Sequence, residues 1–214
     1  MEDETTLINS NNKNGIIKDF FLSNKKKLII IILMLFIILI SFFIFDKIQK
    51  QNKVKLTNEY NTIISSFNID KKQEAVKSLS YIVNKKDITY SPLALYFLID
   101  NDLIENKDEI NRLFDILIDE TNLEKEIRNL IIYKKGLYNS DFTNESDLIK
   151  ILSPIINSES IWKSHALYLI AEYFYSKNEK LKAIEFYNQI TTITNANKDV
   201  LLEAKKRLNR DLGE

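Results

Sequence analysis

Residues Leu28 to Phe45 read LIIIILMLFIILISFFIF, eighteen in a row without a charge and with Ser41 as the sole polar side chain. At about 1.5 Å of rise per residue, a helix of that length covers roughly 27 Å, close to the hydrocarbon thickness of a bilayer. A buried helix of a soluble domain would need apolar partners on every side, more than a protein of this size supplies. A signal peptide would have a shorter apolar core and a small-residue cleavage triplet, whereas Phe42, Phe43, Ile44, Phe45, Asp46 and Lys47 stand at that place. The expectation is a retained transmembrane helix, with Leu28, Ile32, Phe36, Ile40 and Phe45 among its anchor residues and membrane lipid as a partner through this one span.

The span divides the chain into a short polar tail (1–24), the lysine-flanked anchor (25–46) and a remainder (47–214) that one domain of ordinary size accounts for. From residue 46 onward 25 Lys and Arg stand against 26 Asp and Glu, and no stretch concentrates one sign enough to follow a phosphate backbone. Nucleic acid is therefore not an expected partner. With no Cys and a single His there is no disulfide framework, thiolate metal site or His pair for zinc, and no metal or cofactor is expected. The lack of Cys suits an oxidising compartment. Three Gly and two Pro in the whole chain point to a helical protein. The tail reads as solvated apart from a short amphipathic piece at Ile16, Ile17, Phe20 and Phe21. Lys25, Lys26 and Lys27 precede the span and Lys47, Lys50, Lys53 and Lys55 follow it, so the positive-inside signal is balanced and charge alone does not set the orientation.

Beyond the span Leu56, Tyr60, Ile63, Ile64 and Phe67 recur at the spacing of an amphipathic helix, and with no Gly or Pro from Lys25 to Phe67 the anchor can run on into it. Asp70 with Gln73 reads as a capping box for a second helix burying Ala75, Leu79, Ile82 and Val83. Ser91 and Pro92 read as N-cap and first residue of a third, which carries Leu93, Leu95, Tyr96, Phe97 and Leu98. Asn106 with Glu109 caps a fourth over Ile110, Leu113, Phe114, Leu117 and Ile118. A Thr121–Glu124 box opens a fifth through Ile127, Leu130, Ile131 and Ile132, ended near Gly136. Thr143 or Asn144 caps a sixth over Leu148, Ile151 and Leu152, with Pro154 past its end. The seventh runs from about Ser160 through Trp162, Ala166, Leu169, Ile170, Tyr173 and Phe174. The eighth carries Leu181, Ala183, Ile184, Tyr187 and Ile190, and a ninth covers about Asn197 to Arg210.

Aligning KKQEAVKSLSYIV, NKDEINRLFDILI and EKLKAIEFYNQIT brings Ala75, Ile110 and Ala183 into register, the first two separated by one repeat length and the last two by two. Two helices per unit at a period of about 34 residues is the tetratricopeptide pattern. The expected fold is all-α: one N-terminal transmembrane helix, then a tetratricopeptide-like α-solenoid of about four hairpins with a C-terminal capping helix, each hairpin burying its apolar face on the next. Trp162, Ala166, Ile170, Phe174, Ala183 and Tyr187 are the expected repeat-packing residues.

The final repeat is the best marked, with consensus positions at Leu167, Ile170, Ala171, Phe174, Ala183 and Tyr187, and with Asn178 where the repeat usually has Gly. Ile110 replaces the expected small residue in an earlier unit. The layout of charged tail, single span, divergent hairpins, Trp162 and Ala166, then Lys182, Ala183, Phe186 and Tyr187, then Glu203, Ala204, Lys205, Arg207 and Leu208, resembles the YfgM-like ancillary SecYEG translocon subunits. That resemblance implies an N-terminus in the cytoplasm of a bacterial cell, the repeat domain in the periplasm, an anchor beside the SecYEG channel, and hand-over of emerging proteins to periplasmic chaperones. Family tails often carry an aromatic-basic segment before the span, where this chain has Phe20, Phe21 and the lysine triplet.

No nucleotide-binding, zinc-protease or serine-hydrolase motif occurs in the sequence. His165 lies near the core-facing stripe without a Ser or Cys nucleophile pattern or a partner carboxylate, so it reads as a packed, hydrogen-bonded histidine rather than a general base. The carboxylate-rich stretch from Asp115 to Glu126 reads as a solvated face. The expectation is a non-enzymatic interaction scaffold without a small-molecule substrate. The alternative is an assembly factor of another envelope machine, such as cytochrome c maturation or cell division, and a homo-oligomer formed through a terminal repeat is left open.

Overall fold

Why the chain builds one very long helix follows from what it lacks: nothing between Lys25 and Ser66 breaks a helical ladder. The computed structural model describes residues 22–211, and the amphipathic piece expected at Ile16 to Phe21 lies outside them. The chain separates into two compact units, Met1–Leu56 and Thr57–Glu214. Helix α1 (Lys25–Ser66) is continuous over 42 residues, so the anchor and the first amphipathic stripe share one element.

Within the first unit, the large apolar side chains from Ile29 to Phe45 are each at least 45 % exposed. Among the described residues nothing covers them, and the helix is long and apolar enough to cross a membrane. Ser41 returns its hydroxyl to the Ile37 carbonyl at 2.8 Å, so the one polar side chain of the stretch is satisfied inside the helix. From Leu56 onward the pattern changes, and Leu56, Tyr60, Ile63, Ile64 and Phe67 are half-buried.

The second unit continues with α2 (Lys72–Asn84), α3 (Tyr90–Asp100), α4 (Lys107–Asp115), α5 (Lys125–Asn139), α6 (Glu145–Ile156), α7 (Lys163–Ser176), α8 (Lys180–Thr191) and α9 (Lys198–Lys206). A π-helical turn extends α4 over Ile116–Glu120, and another follows α9 over Arg207–Asp211. Among the described residues there is no strand, and from α2 on the connections are short turns. From α2 on, helices consecutive in sequence pack on one another, and α2 with α4, α5 with α7, and α7 with α9 also touch. Asparagine starts several of these elements. Asn106, Asn144 and Asn197 each accept backbone N–H groups of the first turn they precede, a cap worth about 1 kcal/mol. At the other ends Lys86, Asp102 and Asn178 take left-handed φ of 57°, 49° and 61°, and Asn178 fills the position where a glycine was expected.

Several local expectations are corrected. Asp70 lies in a short 3-10 turn that Asn68 caps, its side chain accepting from Lys71 N–H, and α2 itself starts after Lys71 without a side-chain cap. Ser91 lies inside the first turn of α3, and the Asp87 carboxylate accepts the N–H groups of Thr89 and Tyr90 instead. The hydroxyl of Ser91 donates to the Ile82 carbonyl at 2.7 Å and ties α3 to α2. The Thr121–Glu124 box does not form: Thr121 Oγ1 donates backward to the Ile116 carbonyl at 3.0 Å and closes the π turn. Gly136 ends nothing, since α5 runs on to Asn139. It is buried where a Cβ would come within 2.5 Å of Leu152 Cδ2, so this glycine serves the approach of α6. Pro154 falls inside α6, two residues before its end. Helix α7 begins at Lys163 rather than Ser160, Leu181 is 85 % exposed rather than part of the α8 stripe, and α9 gives way to the π turn at Arg207.

Candidate interaction surface

Apolar burial pairs neighbouring helices without specifying which residues meet, and polar and aromatic contacts fix that in this domain. Tyr60 meets Tyr90 with ring centroids 5.5 Å apart, and Phe67 meets Phe97 at 5.2 Å, where the end of α1 adjoins α3. Lys134 Nζ of α5 lies 4.9 Å from the centre of the Tyr96 ring of α3. Tyr133 of α5 stacks on Trp162 at the start of α7, 5.9 Å apart and 19° from parallel. Ser160 Oγ receives Asn129 Nδ2 at 3.0 Å and donates to Glu126 Oε2 at 2.7 Å. Ser164 of α7 accepts the N–H of Asn197 at 3.2 Å, and Glu172 binds Arg207 beyond α9. These pairs join α1, α3, α5, α7 and α9. The hydrogen-bonded ones are evenly spaced along the chain, with Asn129 and Ser160 separated by 31 positions, Ser164 and Asn197 by 33, and Glu172 and Arg207 by 35.

The intervening segments are tied at a similar interval. Lys86 pairs with Glu120 at 2.6 Å and Lys182 with Glu145 at 2.7 Å. Lys107 Nζ lies 3.6 Å from the Phe142 ring centre, and Tyr173 donates its hydroxyl to the Thr143 carbonyl at 3.1 Å. Between α4 and α5, Asn111 and Asn139 exchange amide hydrogen bonds at 3.0 and 2.8 Å, and Lys135 reaches Asp115 at 2.5 Å.

At the carboxyl end Glu172 is a focus. Arg207 grips it through Nε at 2.8 Å and Nη2 at 2.9 Å, while Tyr187 donates its hydroxyl at 2.5 Å. Burial by itself would raise the Glu172 pKa, but the hydrogen bonds from Tyr187, Arg207 and Tyr168 outweigh it and hold the carboxyl below its usual range. Burial and the adjacent carboxylate push the Tyr187 phenol far up, so it remains a donor. The cluster binds α7, α8 and the chain after α9 into one block.

His165 packs against Trp162 at 5.1 Å and Tyr133 at 5.9 Å between ring centroids. Its Nδ1 is buried without a partner in hydrogen-bonding geometry among the described residues. Desolvation lowers its pKa, opposed in part by the Ile161 backbone. Burial, assisted by Asp100, raises Tyr96 to about 12. Among the described residues no group of three or more His, Cys, Asp or Glu side chains is placed to hold a metal ion. Leu93, Ile127, Leu137 and Leu202 on α3, α5 and α9 remain 41 to 53 % exposed.

Of the residues singled out in sequence, Ala166, Ile170, Phe174, Ala183 and Tyr187 lie in one buried cluster, and Trp162 packs half-buried against it. Ile32, Phe36, Ile40 and Phe45 are exposed along α1, and Leu28 is partly so. Sequence reasoning missed Tyr133, Glu172, and the Asn111–Asn139 and Glu126–Ser160 pairs. A search for polar or aromatic residues about one repeat apart could have found most of them. No family model matches this chain, and neither the curated proteins nor the solved structures give a match.

Proposed function

We propose that this protein is a membrane-anchored, non-enzymatic interaction scaffold whose second unit is a tetratricopeptide-like solenoid. The observation that carries the reading is the recurrence of side-chain ties between alternate helices, hydrogen-bonded at separations of 31, 33 and 35 positions along α5, α7 and α9. A period of about 34 residues with two helices per unit belongs to that repeat class. In such an array the first helices of successive hairpins line the concave side, where Tyr96, Tyr133 and Trp162 would receive an extended or helical segment of a partner.

The specific form of this proposal is an ancillary subunit of the SecYEG translocon, with the N-terminus cytoplasmic, the repeats periplasmic, and emerging proteins passed to periplasmic chaperones. Its support is the layout of span, hairpins and closing basic helix. An assembly factor of another envelope machine is the competing form, since it would use the same fold with another partner. Extraction of tagged full-length protein from its native membrane in mild detergent, followed by mass spectrometry of what stays bound, separates the two. SecY, SecE and SecG together with periplasmic chaperones would support the translocon form. Cytochrome-maturation or division proteins in their place would overturn it and leave the scaffold reading standing.

A further inference from the structure

Between residues 22 and 56 the chain carries seven lysines and a single acidic residue, Asp46. Lys25, Lys26 and Lys27 abut the apolar stretch at one end, within about 5 Å of Leu28 along the helix axis. Past Phe45 at the other end, Lys47, Lys50, Lys53 and Lys55 follow at roughly 3, 7.5, 12 and 15 Å. All seven are exposed. Asp46 pairs with Lys50 at 2.8 Å, but this pair is open to water and neutralises little. The headgroup layer on each side of a bilayer is about 5 to 7.5 Å deep, and screening at physiological salt extends over about 8 Å more. Five lysines therefore stand at headgroup depth, and Lys53 and Lys55 stand within one screening length of it. Because the two ends are nearly balanced, these charges carry little orientation information. What they share is proximity to phosphate.

We propose that the two lysine collars of α1 recruit anionic phospholipid around the helix in both leaflets. The proposal rests on the membrane-anchor reading, and the ligand is the bilayer lipid rather than a soluble phosphate. A lysine close to an anionic surface favours it roughly fivefold, and several act together. Lys snorkelling brings each ammonium to the phosphates while its methylenes cover Leu28 or Phe45.

The test uses the full chain reconstituted into vesicles of phosphatidylcholine alone and of phosphatidylcholine with phosphatidylglycerol. Flotation from pure phosphatidylcholine at high salt and alkaline pH reports insertion, and loss of the protein there would overturn the anchor reading itself. The collars are read by extracting the mixed vesicles in mild detergent and measuring the lipid retained by the purified protein. The ratio of phosphatidylglycerol to phosphatidylcholine should exceed that of the vesicles by roughly fivefold, the effect of one lysine. Changing all seven lysines to Gln should return it to the bulk ratio, whereas changing them to Arg should keep it. For wild type, raising the salt should lower the enrichment, and glycerol phosphate at matched ionic strength should not. A wild-type ratio equal to bulk, enrichment undiminished in the Gln variant, or displacement by glycerol phosphate would overturn the proposal.

Discussion

Replacing Gly136 by Ala sets two known effects against each other at one atom. The new Cβ would lie 2.5 Å from Leu152 Cδ2, 3.0 Å from Cγ and 3.4 Å from Cδ1, where carbon atoms prefer about 3.5 to 4.0 Å. Leu152 is fully buried, so it has no solvent to swing into, and the overlap forces an off-rotamer side chain or a retreat of α6. That overpacking costs about 1 to 3 kcal/mol. Against it, Ala inside a helix gains about 1 kcal/mol over Gly. Gly136→Ala should therefore be neutral to destabilising by about 2 kcal/mol in the native protein. Leu152→Ala alone should cost about 2 to 5 kcal/mol. With Leu152 shortened the clash is gone, and Gly136→Ala should then stabilise by about 1 kcal/mol. The two substitutions thus couple by about 1 to 3 kcal/mol. Urea unfolding of the full chain in detergent, followed through the sole tryptophan at the α5–α7 contact, supplies the four midpoints. If Gly136→Ala stabilises both backgrounds equally, α5 and α6 are not in contact at this glycine and the reasoning fails.

Protonation of His165 would bury a charged ring, so its folded pKa lies below the ordinary 6.5. Its stabilising contribution is complete above 6.5 and is lost as pH falls from there toward the lowered value, and since it is the only histidine, His165→Phe should flatten the stability profile over that interval. A slope unchanged by the substitution would assign it to other groups. For Glu172, whose pKa is also depressed, stability is present above the ordinary value of 4.5 and fades as pH falls below it. Arg207→Ala should destabilise the carboxyl end and increase protease cleavage after α8, while Arg207→Lys, which cannot form the fork, should recover it only in part. Equal cleavage in wild type and Arg207→Ala would refute the clamp. Asn139→Ala leaves Asn111 without its amide partner and should cost about 1 to 3 kcal/mol in the same urea assay, with Asn111→Ala in that background adding little.

What was legible in the sequence is what depends on local order. The apolar run from Leu28 to Phe45 and the stripes of Ala75, Leu79, Ile82 and Val83 or of Ile110, Leu113 and Phe114 reflect helical periodicity, and these stripes are the buried faces. Asn106, Asn144 and Asn197 cap because a cap acts on the next three residues alone. Other local signals failed where another group competed for the same atom. Ser91 and Thr121 have cap-forming hydroxyls, but the carbonyls of Ile82 and Ile116 take them. Gly136 resembles a helix stop until Leu152 is placed against it. Pairing across a whole helical hairpin, as in Glu172 with Arg207 or Asn129 with Ser160, was settled by helix packing. The sequence by itself thus determined which stretches are helical and most of the stripe each one buries, though not every helix end, because backbone hydrogen bonding and hydrophobic periodicity act within a few residues. Only the tertiary structure decided which polar and aromatic groups meet, because those contacts depend on how the helices pack, over distances that no local pattern encodes.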